Sequence, residues 1–284
     1  MRNKIEKFLS GISRQLFRIP GGYYIVKFLK NLFPVPKTPN WRIFRFRGIV
    51  FKVDLSKGMG NAIYWRGAHD WGPLFVLESI LKKGATFIDI GANQGEYTLW
   101  GLRKVGLEGM VVAYEPSNAI FQQLEENIRL NPQYTQAVKT RKLGLSNKPG
   151  KLKLYTKSGS NEGVNSIFPS EEHDVFLNEI NLSTLDKEVE TLGWKRIDCL
   201  KIDVEGAELN VLLGAEKTIH KFRPIIITEI SKSSCEAAGY DPKKILQFLE
   251  NHHYKLNIIG LRGKIRPINK DTIPDFFNLI AFPI

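Results

Sequence analysis

From about residue 84 onward, the chain alternates short apolar runs with longer segments in which apolar residues recur at helical spacing. This alternation is typical of a doubly wound α/β sheet with mostly parallel strands. We predict seven strands, over the runs TFIDIGA, MVVAYEP, KTRKLGLS, CLKIDV, PIIITEI, YKLNIIG and FNLIAF. Helices are predicted over EYTLWGLRKVG, AIFQQLEENIRLN, AELNVLLGAEKTIHKF and DPKKILQFLENHH, with an insert of KLKLYTK and INLSTLDKEVETLGW between the third and fourth strands.

The N-terminal part of the chain has a different pattern. Apolar residues recur at helical spacing from Ile5 to Phe17 with basic residues between them, and a second apolar and basic stretch, YYIVKFLKNLF, follows. Pro34, Pro36 and Pro39 predict a linker, so residues 1–40 are predicted to be a basic helical appendage with its linker. Residues 41–284 are predicted to form the main domain, with its core from about residue 67. Within it, RIFRFRGIVFKVDL predicts a small β-element covering one edge of the core, and WGPLFVLESILKKG predicts a helix.

Composition and charge leave two interpretations of this appendage. The chain has 284 residues, 43% of them hydrophobic, which is enough to bury a substantial core. It carries 41 Lys and Arg residues against 29 Asp and Glu residues, and much of the excess precedes Asp54, so its field favours polyanions or anionic lipid surfaces. The appendage is expected either to pack on the main domain or to lie on an anionic membrane as a basic amphipathic anchor.

The sequence indicates neither cysteine chemistry nor a membrane span. Cys199 and Cys235 lack the paired spacing of a zinc or redox site, which fits a reducing compartment. No run approaches the ~20 apolar residues that span a bilayer, and the N-terminus lacks the pattern of a secretory signal. We therefore expect a cytoplasmic protein, with peripheral contact at the inner membrane face as a further expectation.

The first predicted strand ends in a glycine-rich turn. Asp89 ends the apolar run, the turn GANQG follows over residues 91–95, and a helix begins near Thr98. Ligands of doubly wound sheets bind at this edge, where glycines permit a tight turn and the helix N-terminus supplies amide donors. The next strand ends in Glu115 and Pro116, and a carboxylate at that point suits the two hydroxyls of a ribose.

An adenosine-containing ligand at this turn could be a nicotinamide dinucleotide or S-adenosylmethionine. A dinucleotide site uses G-x-G-x-x-G so that its pyrophosphate can lie on the helix end. Here Asn93 occupies the position of the middle glycine. The turn therefore favours a nucleoside without a pyrophosphate.

A group of acidic residues follows the fourth predicted strand. Asp203 ends the run LKIDV, Glu205 and Glu208 lie just beyond it, and Glu229 ends the following strand. Asp203 and Glu229 are expected to face one cleft, whereas Glu208 is expected to be a solvated charge at a helix start. Carboxylates this close repel one another, so their grouping indicates a function that compensates for the repulsion. Either one acts as a general base on a hydroxyl group, or they hold a divalent cation or a polyol.

Taken together, these segments resemble the FkbM-type methyltransferases. The resemblance covers roughly residues 67–284 and rests on DIGANQGEYT, YEPSNAIFQQLEENI, GLSNKPG, STLD, LKIDVEGAELNVLLG and IIITEI, all in the order of that family. It implies a seven-stranded, Rossmann-like class I methyltransferase fold, S-adenosylmethionine as methyl donor, and a hydroxyl oxygen as acceptor, often on a sugar or natural product. The segment GLSN, with Ser146, resembles the loop near the adenine in related methyltransferases.

We therefore expect O-methylation of a hydroxyl group on a glycan or natural-product acceptor, with the metal requirement left open. The expected catalytic residues are Asp203 and, in second place, Glu205 or Glu229. The expected cofactor-binding residues are Asp89, Gly91, Ala92, Asn93, Gly95, Thr98, Glu115, Pro116 and Ser146. Two alternatives are kept, an NAD-type oxidoreductase on the same sheet and a non-enzymatic module that binds membrane or polyanion. Nucleic acid is not expected as a partner, because the sequence contains no base-flipping tetrapeptide or recognisable RNA module.

Overall fold

The computed structural model describes residues 2–17, 19, 21–156, 165–166, 175–270 and 272–284. They form two compact units. The first unit contains the residues up to Asp70 together with Arg129–Asn131, and the second contains Trp71–Ile128 and Pro132–Ile284. Among the described residues, none of the helices is both long enough and apolar enough to cross a bilayer.

The first unit is built from a β-hairpin and three helices. Its elements are α1 (Arg2–Leu16), α2 (Gly22–Asn31), β1 (Trp41–Phe46), β2 (Ile49–Asp54) and α3 (Gly58–Arg66). β1 and β2 pair in antiparallel fashion, and alternate residues of the hairpin, among them Phe44 and Phe51, are buried. Because α1 packs against both α2 and α3, this unit extends to Asp70, whereas the sequence boundary was drawn at residue 40. The sequence did not predict α3, whose segment GMGNAIYWR contains two glycines.

The second unit contains the remaining strands and helices. In chain order these are α4 (Trp71–Ile80), β3 (Thr86–Ile90), α5 (Glu96–Val105), β4 (Met110–Tyr114), α6 (Asn118–Arg129), a 3-10 helix (Pro132–Ala137), β5 (Val138–Arg141), β6 (Gly144–Leu145), β7 (Gly150–Thr156), β8 (Asn165–Ser166), β9 (Val175–Ser183), α7 (Leu185–Leu192), β10 (Cys199–Ile202), α8 (Glu208–Leu213), α9 (Glu216–Phe222), β11 (Ile225–Ser231), α10 (Lys232–Ala237), α11 (Lys243–Asn251), β12 (Tyr254–Ile259), a 3-10 helix (Leu261–Gly263), β13 (Ile265–Pro267) and β14 (Phe276–Pro283).

Its main sheet has eight strands in the order β13-β12-β14-β11-β10-β3-β4-β5. Strands β3, β4, β5, β10 and β11 are parallel, and β14 runs antiparallel between β11 and β12. The predicted doubly wound, mostly parallel sheet is therefore confirmed, with β13 as an additional edge strand. The chain proceeds from β3 to β4 and β5 on one side, and then crosses to β10 on the other. The carboxyl ends of β3 and β10 thus flank the topological switch point, where such sheets bind ligands.

Helices cover both faces of this sheet. On one face, Ile88 and Ile90 of β3 pack with Val211 of α8 and Ile219 of α9 in a large apolar cluster. Alternate residues of a strand point to opposite faces, so Phe87 faces the other side. There a Cβ atom on Gly101 of α5 would lie 2.6 Å from the Phe87 ring, which shows how closely this helix approaches the strand. Parallel strands that are buried on both faces are expected to be apolar throughout, and β10 is buried over its whole length.

Two predicted elements are divided in the structure. The third predicted strand ends at Arg141, and its continuation β6 instead pairs with β9 in a four-stranded sheet of order β6-β9-β7-β8, formed by the predicted insert. The predicted helix after β10 is split into α8 and α9. The carbonyl of Gly214 accepts the amide of Asp186 (3.0 Å), and the Asp186 carboxylate accepts the amides of Lys217 and Thr218 at the start of α9. These contacts mark the end of α8 and the start of α9, and they are made by a residue distant in sequence.

Candidate cofactor and catalytic site

The turn between β3 and α5 is shaped by contacts within the chain. Gly91 and Gly95 have φ values of 78° and 93°, in the left-handed region that favours glycine. A Cβ atom on Gly91 would lie 1.8 Å from the carbonyl oxygen of Asp203, and one on Gly95 would lie 2.7 Å from Leu124. Gly91 is therefore required by the packing of the chain, which brings this turn against the end of β10, whereas Gly95 is favoured by its positive φ, since the Leu124 side chain can move.

All five amides of the turn, residues 91–95, are engaged within the chain. The amide donors that we predict for a ligand belong to the N-terminus of α5, beyond these five residues, and that expectation stays a prediction. The pairs are Gly91 and Ala92 to the Tyr114 carbonyl (3.0 and 2.9 Å), Asn93 to Glu115 Oε2 (3.0 Å), Gln94 to Asn93 Oδ1 (2.7 Å) and Gly95 to the Ala92 carbonyl (2.9 Å). A phosphate group lying on this turn would have to displace one of these hydrogen bonds.

Glu115 joins the end of β4 to this turn. The side chain is buried, and its two oxygens accept the amides of Asn93 (3.0 Å) and Ser117 (2.9 Å). Burial raises the pKa of Glu115 to about 7, and the two amide donors act against that shift. A carboxylate has about four acceptor positions, so two amides leave it able to accept from a ligand hydroxyl. Glu115 therefore combines a structural role in the turn with the predicted place beside a ribose.

Asp89 lies at the end of β3 and is completely buried. Its Oδ2 atom accepts the Thr98 hydroxyl at 2.6 Å, while Oδ1 has no hydrogen-bond partner among the described residues. Burial raises the pKa of Asp89, and the nearby ammonium of Lys201 opposes that shift. Thr98, predicted as a cofactor residue, contacts Asp89 directly. An unsatisfied buried carboxylate oxygen is costly, and a donor group on a ligand would satisfy it.

Lys201 is a residue of this site that the sequence analysis missed. It lies in β10 beside Asp89 of the neighbouring strand, it is buried, and its Nζ atom is 2.9 Å from Asp203 Oδ2. The same ammonium lies 4.3 Å from the centre of the Tyr97 ring. Burial alone would lower the pKa of Lys201, but Asp203 and Asp89 outweigh burial and raise it. The signal in the sequence was a lysine inside the apolar run CLKI, two positions before an acid.

The three predicted catalytic carboxylates come together in the structure. Each of Asp203, Glu205 and Glu229 places one carboxylate oxygen within 4.8 Å of the others, and all three are partly buried. Such a group could hold a divalent cation. Burial, followed by the charges of Asp203 and Glu208, raises the pKa of Glu205 to about 8. The Ser234 hydroxyl donates to Glu205 Oε2 at 3.5 Å.

Glu208 differs from its predicted role as a solvated charge. Its side chain is buried, and its carboxylate accepts the amides of Val204 (3.0 Å) and Gly206 (3.0 Å to Oε2). The Tyr240 hydroxyl also donates to it at 3.4 Å, and burial raises its pKa to about 7. Glu208 thus fixes the loop that carries Glu205, because its buried carboxylate binds the amides on both sides of that residue.

Two further predicted cofactor residues have less distinctive surroundings. Pro116 directly follows Glu115 and precedes Ser117, whose amide donates to the Glu115 carboxylate. Ser146 is buried just after β6, where its amide donates to the Ser183 carbonyl at 2.9 Å. The place of Ser146 beside an adenine stays a prediction, as do the cofactor and catalytic roles of the other residues.

Fold and site together define a doubly wound α/β protein with a cluster of acidic side chains at its switch point. Residues 89–256, more than half of the chain, match the methyltransferase FkbM domain. The chain therefore belongs to the FkbM methyltransferase family, as its motifs predicted.

Individual relatives match part of the chain. Methyltransferase 1 of Beauveria bassiana (strain ARSEF 2860) is 29% identical over 171 residues, which cover 54% of this chain and 65% of that protein. Methyltransferase sdnD of Sordaria araneosa is 29% identical over 165 residues, covering 48% of this chain and 62% of that one. The chain thus spans less than two thirds of the length of these relatives. The crystal structure of methyltransferase FkbM from Methylobacillus flagellatus KT aligns over 80% of this chain and 53% of that chain, with 13% identity and a TM-score of 0.46.

Proposed function

We propose that the chain is an S-adenosylmethionine-dependent methyltransferase that methylates a hydroxyl oxygen of a glycan or natural-product acceptor. The observation that carries this proposal is the engagement of all five turn amides within the chain, beside the carboxylate of Glu115. A dinucleotide site uses such amides to bind a pyrophosphate. A nucleoside without phosphate groups does not need them, so this geometry favours S-adenosylmethionine over NAD.

The charges around the site support the same cofactor. S-adenosylmethionine carries a sulfonium and an ammonium group, and carboxylates from three strand ends surround the switch point. The Oδ1 atom of Asp89 has no partner within the described part of the chain, and a buried carboxylate oxygen of this kind suits an ammonium donor. Glu115 retains acceptor capacity for a ribose diol. A pyrophosphate would face these same carboxylates and would be repelled by them.

When bound, S-adenosylmethionine supplies an electrophilic methyl group. The chain's own task is then to hold the acceptor hydroxyl in line and to take its proton. The Lys201 ammonium holds Asp203 Oδ2 at 2.9 Å, so the Asp203 carboxylate is fixed in position to accept a hydrogen bond from the hydroxyl and orient it. Glu205, with a pKa of about 8, is matched to receiving the proton near neutral pH. In the overall reaction the hydroxyl oxygen would form a bond to the methyl carbon while the carbon–sulfur bond breaks, so that the products are a methyl ether and S-adenosylhomocysteine, and the hydroxyl proton passes to a carboxylate of the chain.

A divalent cation bound by Asp203, Glu205 and Glu229 is a second candidate for orienting the acceptor, supported by the convergence of their oxygens. Lys201 already occupies one oxygen of Asp203, so a cation would compete with its ammonium for that carboxylate. Methyl transfer after treatment with a chelator separates the two. Activity that survives chelation assigns the orienting charge to Lys201, and activity restored by added Mg²⁺ assigns it to the cation.

The first test is native mass spectrometry of the purified full chain for a retained cofactor. A mass increase of S-adenosylmethionine or its demethylated product supports the proposal, whereas a retained nicotinamide dinucleotide overturns it in favour of an oxidoreductase. The second test measures methyl transfer from labelled S-adenosylmethionine to a panel of glycans and natural-product alcohols. Bound cofactor without transfer to any of these alcohols would favour the non-enzymatic alternative.

Asp203→Asn tests the assignment of roles. We expect turnover to fall by roughly a hundredfold while cofactor affinity stays nearly unchanged, because Asp203 is proposed to act on the acceptor. The matched control is Asp275→Asn, at an acid whose side chain is 86% exposed, and this variant should retain full turnover. Full activity of Asp203→Asn would remove Asp203 from the mechanism.

A further inference from the structure

Helices α1 and α2 present large apolar side chains to solvent. On α1, Ile5, Phe8 and Ile12 are exposed and follow helical spacing, with 68% of Phe8 accessible. On α2, Tyr24 and Phe28 are 75% and 65% exposed. We call the exposed side chains of these two helices the N-terminal apolar face; its members are Ile5, Phe8, Ile12, Tyr23, Tyr24, Ile25 and Phe28.

The side of α1 that packs inward is the polar one. The Ser13 hydroxyl donates to the Trp65 carbonyl at 2.6 Å, and the buried Arg14 guanidinium donates to the Tyr64 carbonyl. Both contacts lie within the first unit. A helix on a water-soluble domain ordinarily buries its apolar stripe and exposes its polar side. Here the polarity of α1 is inverted, so the N-terminal apolar face does not contribute to the core of this unit.

Charge indicates what kind of partner this face fits. Lys4 and Lys7 are exposed and flank the apolar side of α1, and Lys27 is exposed on α2. Glu6 is the only acidic residue from Arg2 to Asn31, and it is turned inward to Arg42, with 3.0 Å between Oε1 and Nε. Helices that lie in the surface of an anionic bilayer typically carry aromatic and aliphatic side chains on one side, with lysine or arginine side chains next to them.

We propose that the N-terminal apolar face docks the protein on a membrane surface containing anionic lipid. The rings of Phe8, Tyr24 and Phe28 enter the boundary between head groups and acyl chains, and the lysines contact lipid phosphates from its edges. The proposal stands independently of methyl transfer, because it rests on helices outside the candidate site. A second copy of this chain is the competing occupant of the same face.

The test is flotation of the full chain with vesicles of phosphatidylcholine alone and of phosphatidylcholine mixed with phosphatidylglycerol. We expect binding to the anionic vesicles, weak binding to the neutral ones, and a decrease at high salt. The triple variant Phe8→Ser, Tyr24→Ser, Phe28→Ser should reduce partitioning by at least about tenfold, since three large apolar groups leave the bilayer. The matched control is the triple variant Leu107→Ser, Leu261→Ser, Phe276→Ser, at large apolar side chains of the second unit that are 58–91% exposed.

The substituted side chains are solvent-exposed, so both triple variants should keep the far-ultraviolet circular dichroism spectrum of the parent protein. A charge variant, Lys4→Gln, Lys7→Gln, Lys27→Gln, should weaken binding to anionic vesicles, whereas Lys82→Gln, Lys83→Gln, Lys255→Gln should not. Absence of binding by the parent protein, or equal loss in the apolar control, overturns the proposal. A dimer in light scattering that the Phe8, Tyr24 and Phe28 substitutions dissociate, without any vesicle binding, assigns the face to a second copy instead.

Discussion

Replacing Lys201 by Met should destabilise the protein, because the neighbouring carboxylates then have no buried cation beside them. The methionine fills a similar volume and retains apolar contacts, but Asp203 and Asp89 lose the buried ammonium that compensates them. Removing one partner of a buried ion pair costs roughly 3–5 kcal/mol. The side chain of Asp203 is 30% exposed, whereas that of Lys201 is 6% exposed, so water screens part of the loss. We therefore expect a decrease of about 2–3 kcal/mol in the free energy of unfolding at neutral pH.

Urea unfolding followed by circular dichroism measures this decrease. The matched control is Lys255→Met, at an exposed lysine of β12, which should change stability by less than about 0.5 kcal/mol. A double-mutant cycle with Asp203→Asn should give a coupling energy of at least about 1 kcal/mol, because the neutral asparagine no longer needs the cation.

The pH dependence follows from the direction of the shift. The pKa of Lys201 is raised in the folded state, so its stabilising contribution is present at neutral pH and is lost as pH rises through the folded pKa. In Lys201→Met, the remaining carboxylates should be easier to protonate, so the difference from the parent protein should shrink at acidic pH. A variant as stable as the parent protein, or a cycle without coupling, would refute this account of the site's electrostatics.

The remaining predictions concern the turn and the loop that carry the site. Gly91→Ala should abolish cofactor binding and destabilise the fold, because its Cβ would lie 1.8 Å from the Asp203 carbonyl oxygen. Gly193→Ala, at a left-handed glycine with a φ of 66° and nothing within 4 Å, should cost only about 1–2 kcal/mol in thermal unfolding. Equal effects of the two substitutions would show that the close approach to β10 is unimportant. The pKa of Glu208 is raised to about 7, so the folded state holds its proton more tightly and stability should fall as pH rises from about 4.5 through 7, by up to roughly 3 kcal/mol. Glu208→Gln should therefore lose less stability than the parent protein between pH 5 and pH 8 in urea titrations, and identical slopes would contradict the burial of this acid.

Much of the fold follows from periodicity in the sequence. Parallel strands buried on both faces are mostly apolar, and six of the seven predicted strands are single strands of the main sheet, whereas the more polar run KTRKLGLS is divided between two sheets. Elements defined by tertiary contacts were not predictable in this way. Helix α9 starts at amides capped by Asp186, about 30 residues earlier in the chain, and no local pattern encodes that contact.

The site residues that lie near the carboxyl ends of parallel strands were predictable from the sequence. Asp203 directly follows β10 and Glu229 lies near the carboxyl end of the neighbouring parallel strand β11, so their convergence follows from topology. The inward turn of Glu208 depends on the loop at Gly206 and on Tyr240, which lie on different elements. Lys201 was missed because a role for a lysine in a buried strand can be inferred only when the acidic residues around it are known.

The inverted polarity of α1 exposes another limit of sequence patterns. Apolar spacing predicts which side chains share one side of a helix, but not whether that side faces the core or the solvent. Ser13 and Arg14 occupy the inward side because the backbone carbonyls of Trp65 and Tyr64 provide acceptors for them. The helix itself was evident in the sequence, and its orientation depended on those acceptors.

The turn after β3 and the carboxylate of Glu115 are proposed to hold S-adenosylmethionine. Isothermal titration calorimetry of the full chain with S-adenosylmethionine and with NAD, for the parent protein and for Glu115→Gln, tests this proposal most directly. The glutamine keeps the shape of the side chain. Its NH₂ group, however, replaces one of the two carboxylate oxygens that accept hydrogen bonds from the amides of Asn93 and Ser117, so one of these bonds is lost. We predict measurable binding of S-adenosylmethionine only, weakened at least about tenfold by the substitution. Preferential binding of NAD, or an affinity for S-adenosylmethionine that Glu115→Gln leaves unchanged, would contradict the account.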